Sequence, residues 1–279
     1  MTESNSHWTG SGTSTFFRRD GVRWAGAGQV DPAAGRATTV GGYDRQQHLG
    51  LSPEAPVLRT GAFRLTMIER PFPGPAGSLP PHDHARARDI AAGLTTVEEI
   101  TAGPEPRHDS DEFPHETRAD LERLRVGCWG PVTEITDAAF AHRGEFTPLA
   151  DHAEALAKLH PNAALIGSVT VDFSIRYRAF LFRHPDGTQL WADGWAGEDP
   201  WTVIGNVHDT IDAFAVHNAL EDVDFNAAAE PHVMAWSELE DALLRTLMPV
   251  RRHGRMLSDF RVTRPREVAI HLEETWLEE

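Results

Sequence analysis

AALIGSVTVDFSIRYRAFLFRHPDGTQLWADGW, residues 163–195, alternates with a period of two. Leu165, Gly167, Val169, Val171, Phe173, Ile175, Tyr177, Ala179 and Leu181 hold the odd positions, with Ser168, Thr170, Asp172, Ser174, Arg176 and Arg178 between them. That period belongs to β structure with one face buried. At His184-Pro185-Asp186-Gly187, Pro fits the second position of a type I turn and Gly the fourth, so the chain reverses and Thr188–Trp195 returns as the partner strand. A single strand over 165–181 would span roughly 55 Å at about 3.3 Å per residue, well beyond ordinary strand length. A bend or bulge is therefore expected, with Gly167 the easiest place for it.

The chain outside this hairpin points to an α+β fold. Phe63, Leu65 and Met67 alternate with Arg64 and Thr66 as a first strand over 61–69, and a Pro- and Gly-rich loop follows. His84–Gly93 reads as a helix stopped by Gly93. Residues 95–120 are acidic and interrupted by prolines, and read as loop with short helical turns. Residues 124–136 form one or two strands broken at Gly130-Pro131. Leu149, Ala153, Leu156 and Leu159 make one stripe of a helix, with Glu154 and Lys158 paired at i,i+4. A helix over 208–219 follows, then one capped by Ser237 and Glu240, a strand over 256–263, and a last helix begun by Pro265 with Val268, Leu272 and Trp276 on one face. Strands mostly neighbour strands in sequence, so the sheet is mainly antiparallel, built on the hairpin at about 163–195, with helices packed on it. Residues 1–58, rich in Gly, Ser, Thr and Pro, read as a disordered or loosely packed tail before a single domain, 59–279.

Composition narrows the function. The chain of 279 residues is long enough to bury a core without cross-links, and its one cysteine, Cys128, rules out an internal disulfide and suits a reducing, cytoplasmic setting. Lys158 is the only lysine beside 25 arginines, a bias of coding in a GC-rich genome. Residues 1–56 hold five basic and five acidic residues, so the net charge of −16 belongs to the rest. Such a body repels nucleic acid and anionic membranes and favours a basic protein partner or a cation. No run approaches the roughly 18 apolar residues of a membrane helix.

Three groups of residues invite a chemical reading. His82 and His84, an H-x-H pair, could ligate a divalent metal with Asp111 or Glu112 from the loop after His108 as third ligand or base, the arrangement of a metal-dependent hydrolase. Chance pairing among 15 histidines is the commoner origin of such spacing, so no cofactor is expected outside that alternative. Cys128, between Val126 and Trp129 on a strand, reads as a small buried hydrophobe. Residues 193–224 contain eight acidic residues and no Lys or Arg. There Asp193, Glu198, Asp199, Asp209 and Asp212 surround Trp195 and Trp201, as on a surface that binds a basic protein. The competing reading is a solvated acidic face with both tryptophans in the core. A small-ligand pocket lined by Trp191, Trp195 and Trp201 is a third possibility.

Five segments, GAFRLTMIERPFPG, LPPHDHARARDI, RADLERLRVGCWGPVTEITD, DGTQLWADGW and FRVTRPREVAIHLEETW, resemble an uncharacterised family of proteins from GC-rich, actinomycete-type bacteria. The resemblance covers about Gly61 to Trp276, and implies that these residues form one unit after a variable tail. It implies no activity and no catalytic residue. With no nucleophile elbow, P-loop or complete glycine fingerprint, the sequence is read as a non-enzymatic cytoplasmic interaction protein of immunity-like, adaptor or regulatory type. The metal-dependent hydrolase is the alternative.

Overall fold

In a computed structural model, residues 51–141, 148–198, 200–221, 223, 225–249 and 254–277 are described. Among them run nine strands, β1 (Gly61–Glu69), β2 (Glu99–His108), β3 (Arg123–Trp129), β4 (Val132–Asp137), β5 (Ala163–Asp172), β6 (Arg176–Arg183), β7 (Gln189–Trp195), β8 (Thr202–Ile204) and β9 (Met256–Thr263). Six helices accompany them: α1 (His84–Ala92), α2 (Pro148–Leu159), α3 (Val207–Phe214), α4 (His217–Glu221), α5 (Trp236–Leu247) and α6 (Arg266–Trp276). All nine strands join one sheet in the order β2-β9-β3-β4-β1-β5-β6-β7-β8, with every neighbouring pair antiparallel.

The hairpin reading needs one correction. Residues 165–181 are two strands, not one bent strand, because the chain turns at Phe173-Ser174-Ile175 and β5 pairs β6 with Asp172 opposite Arg176. Gly167 sits in regular pairing with Leu181 and Leu65 rather than at a bulge. The Asp172 carboxylate holds the turn, accepting from Arg176 Nε and from Thr60 Oγ1 at 2.8 Å. The second turn lies where Pro185 and Gly187 place it: Gly187 N donates to His184 O at 3.1 Å, and Gly187 adopts φ +100°, which glycine accepts without strain.

Both faces of the sheet are covered. Phe63, Leu65 and Met67 of β1, Val169 and Val171 of β5 and Phe260 of β9 meet α1, α2 and α6 in one core, closed by fully buried Trp276. Ile68, Ile166, Phe180, Phe182 and Ala192 meet α3, α4 and α5 in the other, centred on Trp236. The middle of the sheet is thus apolar on both sides, which is why the alternation of β5 fades at Ala164 and Ile166.

Other expectations shift locally. β2 occupies residues read as loop. It is an edge strand, where Pro104 and Pro106 are tolerated, and its pairing with β9 shifts register around Gly103 and Pro104. The helix expected over 208–219 is broken into α3 and α4 at Ala215, which takes φ 53°. α5 begins after Ala235 with no side-chain cap, so Ser237 lies inside it and Glu240 turns inward, accepting from Arg64 at 2.7 Å and Ser168 at 2.9 Å. Of the residues read as tail, 51–58 are described and tied down: Val57 N donates to Glu116 O and Leu58 N to Trp276 O, both at 2.8 Å. Residues 1–50 lie outside the described residues.

Candidate functional site

His82 and His84 do meet, at a ring separation of 4.4 Å. Asp83, between them, caps α1 by accepting from Arg86 N at 3.0 Å. Cys128 N donates to His82 Nδ1 at 3.1 Å, while His82 Nε2 and His84 Nδ1 lie 2.9 and 3.0 Å from one hydroxyl, Ser258 Oγ. His82 Nδ1 also lies 3.2 Å from Cys128 O, so the ring faces both backbone groups of Cys128, and the Ser258 hydroxyl, one donor with two acceptor lone pairs, serves both imidazoles. Burial, then the neighbouring His84, lowers the pKa of His82. Ser258 has no exposed surface, so this chain of hydrogen bonds fastens α1 to β3 and β9 and offers no accessible nucleophile.

The residues read as completing a metal site, Asp111 and Glu112, are engaged by other partners. Asp111 Oδ2 accepts from His108 N at 2.9 Å, and the backbone carbonyls of Asp111 and Glu112 accept from Arg125, each at 2.7 Å. His108 reaches Gly254 O at 3.2 Å, and His115 packs edge-on against Trp276. Among the described residues no three His, Cys, Asp or Glu side chains are grouped to hold a metal ion. Cys128 is buried, and burial pushes its thiol up to about 11, in keeping with a packing role.

The acidic region divides differently from the reading of the sequence. Asp193 is only 6% exposed, accepting from Tyr177 Oη at 2.8 Å and Trp191 Nε1 at 2.9 Å, and so belongs to the core. Trp195 packs with Phe173 and Tyr177 on the α1/α2/α6 side, whereas Trp201 stacks on Trp236 at 6.1 Å on the other. A Cβ at Gly194 would enter the Trp201 ring, so that glycine is what admits the indole. The two tryptophans therefore cannot anchor one surface, nor can Trp191, Trp195 and Trp201 line one pocket. Asp199 lies outside the described residues.

What remains is a helical layer whose exposed charges are almost all negative. Between Arg183 and Arg245 there is no Lys or Arg. The same span holds Asp186, Asp193, Glu198, Asp199, Asp209, Asp212, Glu221, Asp222, Asp224, Glu230, Glu238, Glu240 and Asp241, a charge of −13 out of the net −16. Glu198, Asp209, Asp212, Glu221, Glu230, Glu238 and Asp241 are exposed. α3 shows why: Val207, Ile211 and Phe214 turn to the sheet, which leaves Asp209 and Asp212 to water, and Asn206 caps the helix by accepting from His208 N at 2.8 Å. Gly197 N donates to His232 O at 3.3 Å, tying the loop of Glu198 to the loop of Glu230 and Val233, whose side chain is 63% exposed. Trp201, partly exposed, supplies the aromatic surface. Glu230, Glu238 and Asp241 were missed by ending the acidic region at Asp224, although the lack of basic residues continues to Leu244.

No helix among the described residues is long and apolar enough to cross a membrane. No curated protein and no solved structure matches the chain. A family model does match, over residues 46–279, and it extends the unit upstream of Gly61 to include the residues that tie Val57 and Leu58 to the domain. The chain belongs to that family, described as a family of unknown function, DUF6333.

Proposed function

We infer that this protein works by binding a basic protein partner through the α3/α4/α5 layer, as a non-enzymatic adaptor, immunity-like or regulatory protein of the cytoplasm. The observation that supports this reading is the segregation of charge. One helical layer carries exposed carboxylates with Arg245 as its only Lys or Arg, while the α1/α2/α6 layer mixes both signs. A one-signed surface speeds encounter with an oppositely charged partner, and Trp201 and Val233 supply apolar contact once docked.

The immobilised full chain, exposed to lysate of its source cells, is expected to retain a basic protein at low salt and release it at high salt. A Glu198→Lys/Asp212→Lys/Glu230→Lys variant, still folded by circular dichroism, should lose that protein at low salt as well. Retention that ignores both salt and charge reversal refutes the reading.

A further inference from the structure

The sheet ends in two edge strands, and they differ. β2 contains Pro104 and Pro106 and the charged side chains of Glu99, Glu105 and Arg107, and its pairing with β9 shifts register, all of which discourage a further strand. β8, Thr202-Val203-Ile204, has no proline and no charge, and every residue in it is β-branched. Its free groups follow from the register of the hairpin. His184 N donates to Thr188 O and Ala196 N to Arg176 O, both at 2.8 Å, so the even residues of β7 turn their backbone groups to β6 and the odd ones to β8. Trp191 and Asp193 therefore bond Ile204 and Thr202, which lie opposite them, while Val203, opposite Ala192, turns its N–H and C=O outward. Neither of these two groups has a hydrogen-bond partner among the described residues. Thr202 is exposed and Val203 half-buried, so the edge borders water.

We propose that β8 accepts a tenth strand, antiparallel to it, from a basic extended segment of the partner; this rests on the reading that the acidic layer binds a basic protein. Val203 packs towards the core around Trp236, on the side covered by α3, α4 and α5, and Ile204 towards the other core. A residue of the incoming strand opposite Val203 shares its face, and the residues on either side of it point to the other face. Arginines at alternate positions thus lie on the side of the acidic layer, where Glu198 and Asp209, exposed shortly before and after β8, have no Lys or Arg near them in sequence. Apolar residues between the arginines lie on the side of Ile204. Backbone pairing then supplies affinity, and the alternation supplies specificity. A second copy of this chain, with its net charge of −16 and the same acidic flank, is repelled from the edge.

The test titrates an acetylated, amidated octapeptide of alternating arginine and valine into the full chain by isothermal calorimetry at low ionic strength. One saturable site is expected. The same peptide N-methylated at each arginine keeps its charge but loses the N–H groups that face β8, and should bind about tenfold more weakly or worse. Val203→Pro removes the matching donor from the protein; because that N–H faces away from β7, an edge strand tolerates the proline, and affinity should fall by a similar factor. In the free chain the Val203 amide should exchange readily with solvent by NMR, and bound peptide should slow it about tenfold or more. Equal binding of the N-methylated peptide, or undiminished affinity in Val203→Pro, shows that charge alone holds the peptide: strand addition is then refuted while the acidic-layer reading stands. Absence of saturable binding, or unchanged exchange at Val203, refutes strand addition as well. A dimer of the free chain, seen by light scattering and dissociated by Val203→Pro, gives the edge to a second copy and overturns the proposal. The acidic-layer reading fails separately, in the lysate experiment.

Discussion

His115, His152 and His271 have imidazoles that burial holds neutral, each with its pKa pushed down from 6.5 to about 4. Below pH 6.5 the unfolded chain takes up protons at these positions that the folded chain refuses until about pH 4. Their contribution is therefore complete above pH 6.5 and is lost as the pH falls towards 4, up to about 3 kcal/mol for each histidine. Urea unfolding at a series of pH values should show stability falling through that window. His115 allows a cleaner test, because both ring nitrogens are buried and have no hydrogen-bond partner among the described residues, while the ring packs on Phe63 and Trp276. His115→Phe keeps the packing and removes two unsatisfied polar atoms, so it should stabilise the protein at neutral pH by about 1–3 kcal/mol and flatten the acid-side decline. A destabilised variant with an unchanged slope would contradict this. For Cys128, whose thiol burial pushes up to about 11, labelling by iodoacetamide near pH 8 should be negligible in the folded protein and complete in denaturant. The sequence made the place of Cys128 readable, since a strand brackets it with Val126 and Trp129. Asp193 was not readable, because the groups that bury it are Trp191, two residues away, and Tyr177 on the neighbouring strand, brought close only by the register that sets Tyr177 opposite Trp195.

At the level of elements, the turn at 173–175 was hidden by parity. β5 and β6 pair so that Val171 faces Tyr177 and Asp172 faces Arg176, odd with odd and even with even. The alternation therefore runs through the reversal unbroken, and nothing in the period reveals it. β2 was hidden for a different reason: an edge strand pairs on one side only, and its mostly exposed residues need no apolar alternation. The long strands β1 and β5 were legible because each presents a row of apolar or small residues to one core, and α6 because Val268, Leu272 and Trp276 fall on one helical face. The break between α3 and α4 has its own consequence. Ala215 takes the left-handed conformation that ends α3, its N–H donating to Asp212 O at 3.1 Å, where glycine is the usual residue. Ala215→Gly relieves a strain of about 1–2 kcal/mol and gives back part of it in chain entropy, so a net gain of about 0.5–1 kcal/mol is expected. Thermal unfolding measures it, and a loss of stability would show that the αL position is not strained.

For the whole molecule, the decisive quantity is the placement of charge. Its concentration in one part of the chain was legible from the missing Lys and Arg alone, although its division between core and surface was not. Asp193 is buried under hydrogen bonds from Tyr177 and Trp191, Glu240 is buried against Arg64, and Asp137 with Arg264 forms a buried pair satisfied by neighbouring carbonyls, so these respond less to salt than exposed charges do. The exposed carboxylates of the α3/α4/α5 layer repel one another across water and do respond. Raising the ionic strength from about 0.01 M to about 0.1 M shortens the screening length from about 30 Å to about 10 Å, so the thermal midpoint should rise over that range. A Glu198→Gln/Glu221→Gln/Glu230→Gln variant should begin higher at low salt, by about 0.5 kcal/mol for each charge removed, and meet the wild type at high salt. None of the three lies in the first turn of α3 or α5, where a carboxylate would be favoured by the helix dipole, and Glu221 closes α4, where it is disfavoured. A midpoint indifferent to salt would mean that the layer stores no repulsion. Repulsion that salt relieves is relieved also by a cationic surface docked on the layer, so if the proposed basic partner binds there, it should raise the thermal midpoint more at low salt than at high salt.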